Sequence, residues 1–197
     1  SNLKSLCRQI RSGLFLAHVR ASTGGATSRD NCHPFVCGRW SFMHNGQIDG
    51  FERLRRRLEG GLPDALYAER RGTTDSELFF LMMLANGLER DPQGAAARAA
   101  GEVVEAARAA GIAPALKLTA AFSDGEGLHA VRFSTEGRAP TLYAGQFGGG
   151  HCLVSEPFGR DGPDWQPVPT DSFVTLTPAG MTLRPFAPSV PATAAAA

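Results

Sequence analysis

The sequence predicts an α+β domain in which helices pack on an antiparallel sheet. Three observations point there. Two strand-like apolar runs come first, over residues 14–21 and 39–44. Three helical patterns follow between Phe51 and Ala110, and the remainder is a meander of short apolar runs closed by Pro and Gly turns. Strands and helices grouped in this way suit helices laid on one antiparallel sheet. A chain of 197 residues fits one domain with a substantial core, expected over residues 1–188. The closing "SVPATAAAA", residues 189–197, is low in complexity and is expected to be disordered.

Each element has its own signal. In "SNLKSLCRQI", Leu3, Leu6 and Ile10 recur at helical spacing. The opening lacks Met, and a helix needing a partner starts almost at residue 1, which reads as entry partway through a domain. Leu14 to Val19 is nearly continuous apolar sequence and predicts a short buried strand over 14–21, followed by a polar, Gly-rich loop over 22–34. Arg39 to His44 alternates into a second strand, and Asn45-Gly46, a pair tolerant of positive φ, predicts a tight turn at its end. Phe51, Leu54 and Leu58 share one face of a helix whose far side carries Arg55, Arg56 and Arg57. Asp75 to Leu88 predicts a second helix, and "LFFLMMLA" leaves it so little polar face that both sides should be covered. Gly94 to Ala110 is an Ala-rich third helix. "LKLTAAFSDGEGLHAVRFS" predicts a hairpin turning at Ser123-Asp124-Gly125, and "TLYAG", "CLVSEPF", "DSFVTLTP" and "MTLRPF" predict further strands.

Composition excludes several function classes. Apolar residues make up 43% and charged residues 20%, with a formal net charge of +1. No strong field marks nucleic acid or an anionic membrane as the main partner. No apolar run approaches the roughly 20 residues of a membrane helix, and the opening carries no signal-peptide pattern. Cys7, Cys32, Cys37 and Cys152 do not form a disulfide framework, so a reduced cytoplasmic protein is expected. Cys32, His33, Cys37 and His44 lack metal-ligand spacing, and no metal or other cofactor is expected. "GQFGGG" lacks the Lys-Ser/Thr of a phosphate loop and reads as a turn.

Three clusters could carry chemistry. In "HVRAST", Arg20 ends an apolar run; its planar fork suits either a substrate carboxylate or an internal Asp or Glu. In "NCHPF" and "FMHNG", His33 and His44 lie among apolar residues, as satisfied core histidines do. Asn45 offers a side-chain amide and Gly46 a backbone N–H, the two donors an oxyanion hole requires, on what is otherwise a plain turn. In "GTTDSELFF", Thr74 or Asp75 is a helix N-cap, and Asp75 could also present its carboxylate to an ammonium. Arg20 and Asp75 together would recognise a free amino acid.

The succession "HVRAST", "NCHPF", "FMHNGQI", "TDSE" over residues 18–77, followed by "LVSEPF" and Trp165, resembles the class II glutamine amidotransferases of the N-terminal-nucleophile hydrolase group. The likeness is greatest to a compact single-domain branch that hydrolyses γ-glutamyl amides. The resemblance implies an αββα four-layer sandwich, N-terminally incomplete here. It implies Arg20 on the substrate α-carboxylate, Thr23 lining that pocket, and Asp75 on the α-amine. His33 would belong to the site wall, and Asn45 and Gly46 would form the oxyanion hole. The family nucleophile is an N-terminal Cys whose thiolate attacks the side-chain amide while its own α-amine acts as base. No residue of this chain matches it: Cys7, Cys32, Cys37 and Cys152 are internal, and Ser1 precedes the wrong element. The expected partner is a small-molecule γ-glutamyl compound, with a second copy or a synthase as possible protein partners. The alternative is a catalytically inactive γ-glutamyl-binding module or partner subunit.

Overall fold

The computed structural model describes residues 2–19, 28–113, 115–158 and 164–189. Helix α1 spans Asn2–Gln9, and the other helices are α2 (Phe51–Glu59), α3 (Asp64–Ala68), α4 (Asp75–Ala85) and α5 (Pro92–Ala109). The strands are β1 (Phe35–Cys37), β2 (Trp40–Ile48), β3 (Leu116–Ser123), β4 (Leu128–Ser134) and β5 (Tyr143–Phe147). They continue with β6 (Gly150–Val154), β7 (Gln166–Pro167), β8 (Ser172–Thr177) and β9 (Gly180–Pro185). Six strands form an antiparallel sheet in the order β1-β2-β3-β4-β8-β9, and three form a smaller sheet in the order β6-β5-β7. This is the mixed α/β architecture predicted, with antiparallel sheets and helices.

Periodicity explains which face each element buries. Leu54 and Leu58 of α2 turn inward and leave the Arg-rich side outward, as a 3.6-residue period requires. Helix α4 has no polar face: every residue from Ser76 to Met83 is buried. It stops at Ala85, three residues before the sequence predicts, because Gly87 adopts a left-handed φ of 82° and Asn86 caps the last turn by donating from its N–H to Met82 O at 3.0 Å. Helix α5 begins with Pro92 behind an Asp91 N-cap, and its small Ala side chains let it lie close to its neighbours.

The larger core lies between these helices and the six-stranded sheet, with Phe42, Leu118, Phe122 and Phe173 from strands meeting Leu54, Phe79, Phe80 and Val103 from helices. The opposite face of that sheet meets the smaller sheet through Ala121, Ala130, Leu142, Ala144, Val168 and Val174. Residues 35 to 186 thus build layers in the order α, β, β. Ser189 N–H bonds to Ala97 O at 2.9 Å; the rest of the predicted tail, 190–197, lies outside the described residues.

Two sequence expectations are corrected. Residues 14–19 are not a strand. Phe15 is 77% and Val19 98% exposed, while Leu14, Leu16 and His18 between them are half-buried. The apolar run therefore buries one side only, with no paired strand among the described residues. Asn45-Gly46 is not a turn either. Strand β2 continues through both, pairing Asn45 with Thr119, Gly46 with Leu118 and Ile48 with Leu116. Strands β1 and β7 and helix α3 were not predicted; two or three ladder residues, or one and a half helical turns, carry too little periodicity to read.

Candidate active site

Strand β2 carries the site because its two faces do different work. Alternation sends Phe42, His44 and Ile48 to the helical side, where all three are buried. Met43 and Asn45 take the opposite side, and Asn45 and Gly46 are exposed. Gly46 holds φ at 150°, a conformation L side chains rarely adopt. A Cβ placed there would run into the Lys117 carbonyl of the neighbouring strand and approach His44 Nε2 to 2.5 Å. Only glycine fits, because the space a side chain would take is filled by the Lys117 carbonyl and the His44 ring. Asn45 and Gly46 thus put an exposed amide side chain beside an exposed, side-chain-free stretch of backbone.

Asp75 reaches this strand from helix α4. Thr74 is the N-cap: its hydroxyl accepts from Glu77 N–H at 3.1 Å. Asp75 is the first helical residue, so its carboxylate is released from capping. One oxygen, Oδ2, accepts from Ile48 N–H at 2.8 Å, and Oδ1 accepts from Ser76 N–H at 2.8 Å. An ionised carboxylate has about four acceptor positions, so capacity remains for an ammonium. The bond to Ile48 is the physical link between the two sequence clusters, joining α4 to the strand that carries Asn45-Gly46. The half-buried Asp75 side chain sits beside the positive end of the helix dipole.

The loop before Asp75 is fastened from two sides. Buried Glu77 accepts from Arg71 N–H at 2.9 Å and Gly72 N–H at 2.8 Å. Asn31, in the short 3-10 turn Arg29–Asn31, accepts from Thr73 N–H at 2.8 Å. Arg70 pairs with Glu59 and lies 3.9 Å from Glu77. The "NCHPF" segment is thereby held against the "TDSE" segment, which sequence spacing alone could not indicate.

His44 is a satisfied core histidine. Its Nε2 lies 3.1 Å from Lys117 O and its Nδ1 2.9 Å from Ser76 Oγ. A carbonyl can only accept, so Nε2 carries the proton. Burial pushes its pKa down, and His18 adds to this; Asp75 and the Lys117 carbonyl pull the other way. His33 lies against His18 with ring centroids 4.4 Å apart, and meets Phe35 edge to face at 4.6 Å. His33 is thus linked to His18, which lies close enough to His44 to act on its charge. Arg20 and Thr23 lie outside the described residues.

The cysteines do not converge here. Cys7 is exposed on α1, Cys32 is exposed, and Cys152 sits on β6 of the smaller sheet. Burial pushes the Cys37 thiol up, which opposes thiolate formation. Among the described residues no group of three or more His, Cys, Asp or Glu could hold a metal ion, and no helix is long and apolar enough to cross a membrane.

Sequence reasoning anticipated a satisfied His44 but missed Ser76 as its partner. A hint was present: Ser76 follows Asp75 in a helix otherwise wholly apolar for eight residues after Glu77, and a hydroxyl there needs a buried partner.

Known proteins resemble this chain. The family model described as "Glutamine amidotransferases class-II" matches residues 1–139. The probable glutamine amidotransferase DUG3 of Saccharomyces cerevisiae is 43% identical over 83 residues, which are 42% of this chain and 23% of that protein. An uncharacterized protein of Methanocaldococcus jannaschii, MJ1515, is 36% identical over 87 residues, 42% of this chain and 22% of its own. The chain thus spans under a quarter of the length of both. The structure of a glutamine aminotransferase class-II domain protein from Silicibacter pomeroyi superposes with a TM-score of 0.86 at 42% identity, covering 95% of this chain and 81% of that one. Glutamine phosphoribosylpyrophosphate amidotransferase of B. subtilis shares the fold, with a TM-score of 0.59 at 18% identity over 88% of this chain and 35% of that one.

Proposed function

We infer the function from the family to which this chain belongs, the class II glutamine amidotransferases. Its reaction is cleavage of the side-chain amide of glutamine or of a γ-glutamyl amide, by way of a Cys thioester in the complete protein. A thiolate attacks the amide carbon, the C–N bond breaks with ammonia leaving, and water then releases glutamate from the thioester. In that scheme Asp75 takes the substrate α-ammonium and Arg20 the α-carboxylate, with Thr23 and His33 completing the pocket. Asn45 and Gly46 face the oxyanion formed at the amide carbon. Two such donors are worth about 2.7–4 kcal/mol each to the transition state.

The observation that carries this reading is the Asp75–Ile48 bond. It sets a carboxylate with spare acceptor positions beside the strand that offers Asn45 and Gly46. The separation of roles along one short stretch of strand suits a substrate with an ammonium at one end and an amide at the other.

None of the four cysteines of this chain is proposed as the nucleophile, so the chain alone should bind but not turn over. Titration calorimetry with L-glutamine tests the site: binding is expected, and Asp75→Asn should abolish it. Asn keeps an acceptor for Ile48 N–H and removes the charge, so the fold survives the test. Glutamate release by the chain at a rate removed by Asp75→Asn would show that it carries its own nucleophile. Binding without turnover is also what an inactive γ-glutamyl-binding subunit would do. Joining the chain to a segment beginning with an N-terminal Cys separates the two, since only an amidohydrolase site should then release glutamate. The protein partner, if one is used, would be a second copy or a synthase that accepts the ammonia.

A further inference from the structure

We propose that His44 and Ser76 are positioning residues that set the charge and direction of the Asp75 carboxylate toward a substrate ammonium. The proposal rests on the reading of Asp75 given above. Its basis is a continuous chain of polar atoms in the helix-facing core. Lys117 O takes the Nε2 proton at 3.1 Å, Nδ1 lies 2.9 Å from Ser76 Oγ, and Oγ lies 3.2 Å from Asp75 Oδ1. His44 and Ser76 are both buried, so no bulk water competes for these bonds.

Ser76 has one hydroxyl proton and two acceptors for it. With His44 neutral, Nε2 donates to Lys117 O, Nδ1 is the acceptor, and the hydroxyl turns to that nearer atom. Asp75 then keeps its full charge, holding only the N–H groups of Ile48 and Ser76. With His44 protonated, Nδ1–H donates to Ser76 Oγ, and the hydroxyl must turn to Asp75 Oδ1. The carboxylate loses an acceptor position and gains a cation behind it. Both changes weaken its hold on an ammonium. The charged and titratable groups around His44 are Asp75 from α4 and His18 from the N-terminal segment, with His33 lying against His18. From β3 the Lys117 carbonyl makes the contact, while the Lys117 ammonium pairs with Glu136 at 3.1 Å.

Gly46 belongs to the same device. A side chain there would meet both His44 Nε2 and Lys117 O, so the first bond of the relay depends on the side chain that Gly46 lacks.

The test is L-glutamine affinity by calorimetry from pH 4.5 to 8, on the full chain, in wild type, His44→Gln and Ser76→Ala. Gln fills the core and can still donate to Lys117 O but cannot titrate in this range; circular dichroism and thermal unfolding confirm that each variant is folded. Between pH 7.5 and 4.5 wild type should lose about threefold or more affinity beyond what His44→Gln loses. Ser76→Ala should leave affinity at pH 7.5 within about threefold of wild type and flatten the same limb. Histidine 15N shifts should show the Nε2–H tautomer for His44 in wild type without ligand. Parallel pH curves for wild type and His44→Gln, or an Nδ1–H tautomer, would overturn the relay alone. Absence of L-glutamine binding at every pH would instead overturn the role of Asp75, and the relay with it.

Discussion

The six-stranded sheet is packed through rings on one face and through small aliphatic side chains on the other. Toward the helices, Phe42 stacks on Phe80 with centroids 5.3 Å apart and planes 6° apart, and Phe79, Phe122 and Phe173 close around them. Toward the smaller sheet the buried set is Ala121, Ala130, Leu142, Ala144, Val168 and Val174. Strand β2 stands between these two environments. Its helix-facing residues, Phe42 and His44, are locked by rings and buried hydrogen bonds. Its other side, where Met43 and Asn45 point, is thinly covered. The difference teaches how one strand can be both fixed and open: Phe42 and His44 face the dense layer, and the exposed Asn45 faces the sparse one.

The largest test of that contrast is Phe80→Ala, which removes a fully buried ring stacked on the site strand. It should cost about 3–5 kcal/mol in urea unfolding. The matching change on the other face, Val174→Ala, should cost roughly 2 kcal/mol. Equal costs would break the comparison. Between them falls Gly46→Ala, where a methyl must displace the Lys117 carbonyl or the His44 ring; a loss of about 2–3 kcal/mol is expected, with L-glutamine binding lost as well. The smallest effect belongs to Thr74→Ala, about 1 kcal/mol for a lost N-cap, read as a shift in the urea midpoint at unchanged slope.

Acidification separates the faces without mutation. Burial holds the folded-state pKa of His44 below its ordinary value, so the unfolded chain binds more protons at mildly acid pH. Stability is therefore fully present above about pH 6.5 and falls as pH drops from there toward the folded-state value. His129, among the aromatic rings on the same face, shifts in the same direction for the same reason. His44→Gln should flatten part of this slope and leave the part due to His129.

Much of the fold was legible because periodicity reports burial. Phe51, Leu54 and Leu58 announced α2, the apolar run after Asp75 announced a helix covered on both sides, and Ser123-Asp124-Gly125 fell at the β3–β4 turn. Leu14 to Val19 misled because an apolar run does not say whether a strand lies beside it; here only alternate residues turn inward. Asn45-Gly46 misled for a different reason. Asn-Gly suits a turn by its tolerance of positive φ, yet Gly46 uses that tolerance inside a ladder, where register with Leu118 decides. Within the candidate site, the residue types were readable and their links were not. Asp75 meets Ile48 and His44 meets Ser76 across 27 and 32 positions of sequence, and nothing local encodes either pairing.

Strand β2 runs through Asn45 and Gly46 without a break, with a paired strand on each side of it for part of its length. Sites borne on loops can drift by changes in loop length, since an inserted residue there disturbs little else. An insertion here would flip every later side chain of β2 to the other face, exchanging Ile48 for a polar neighbour in the core. Asn45 and Gly46 are thus immune to that kind of remodelling. New substrate preferences in relatives of this chain should arise outside β2, while the strand itself stays the same length.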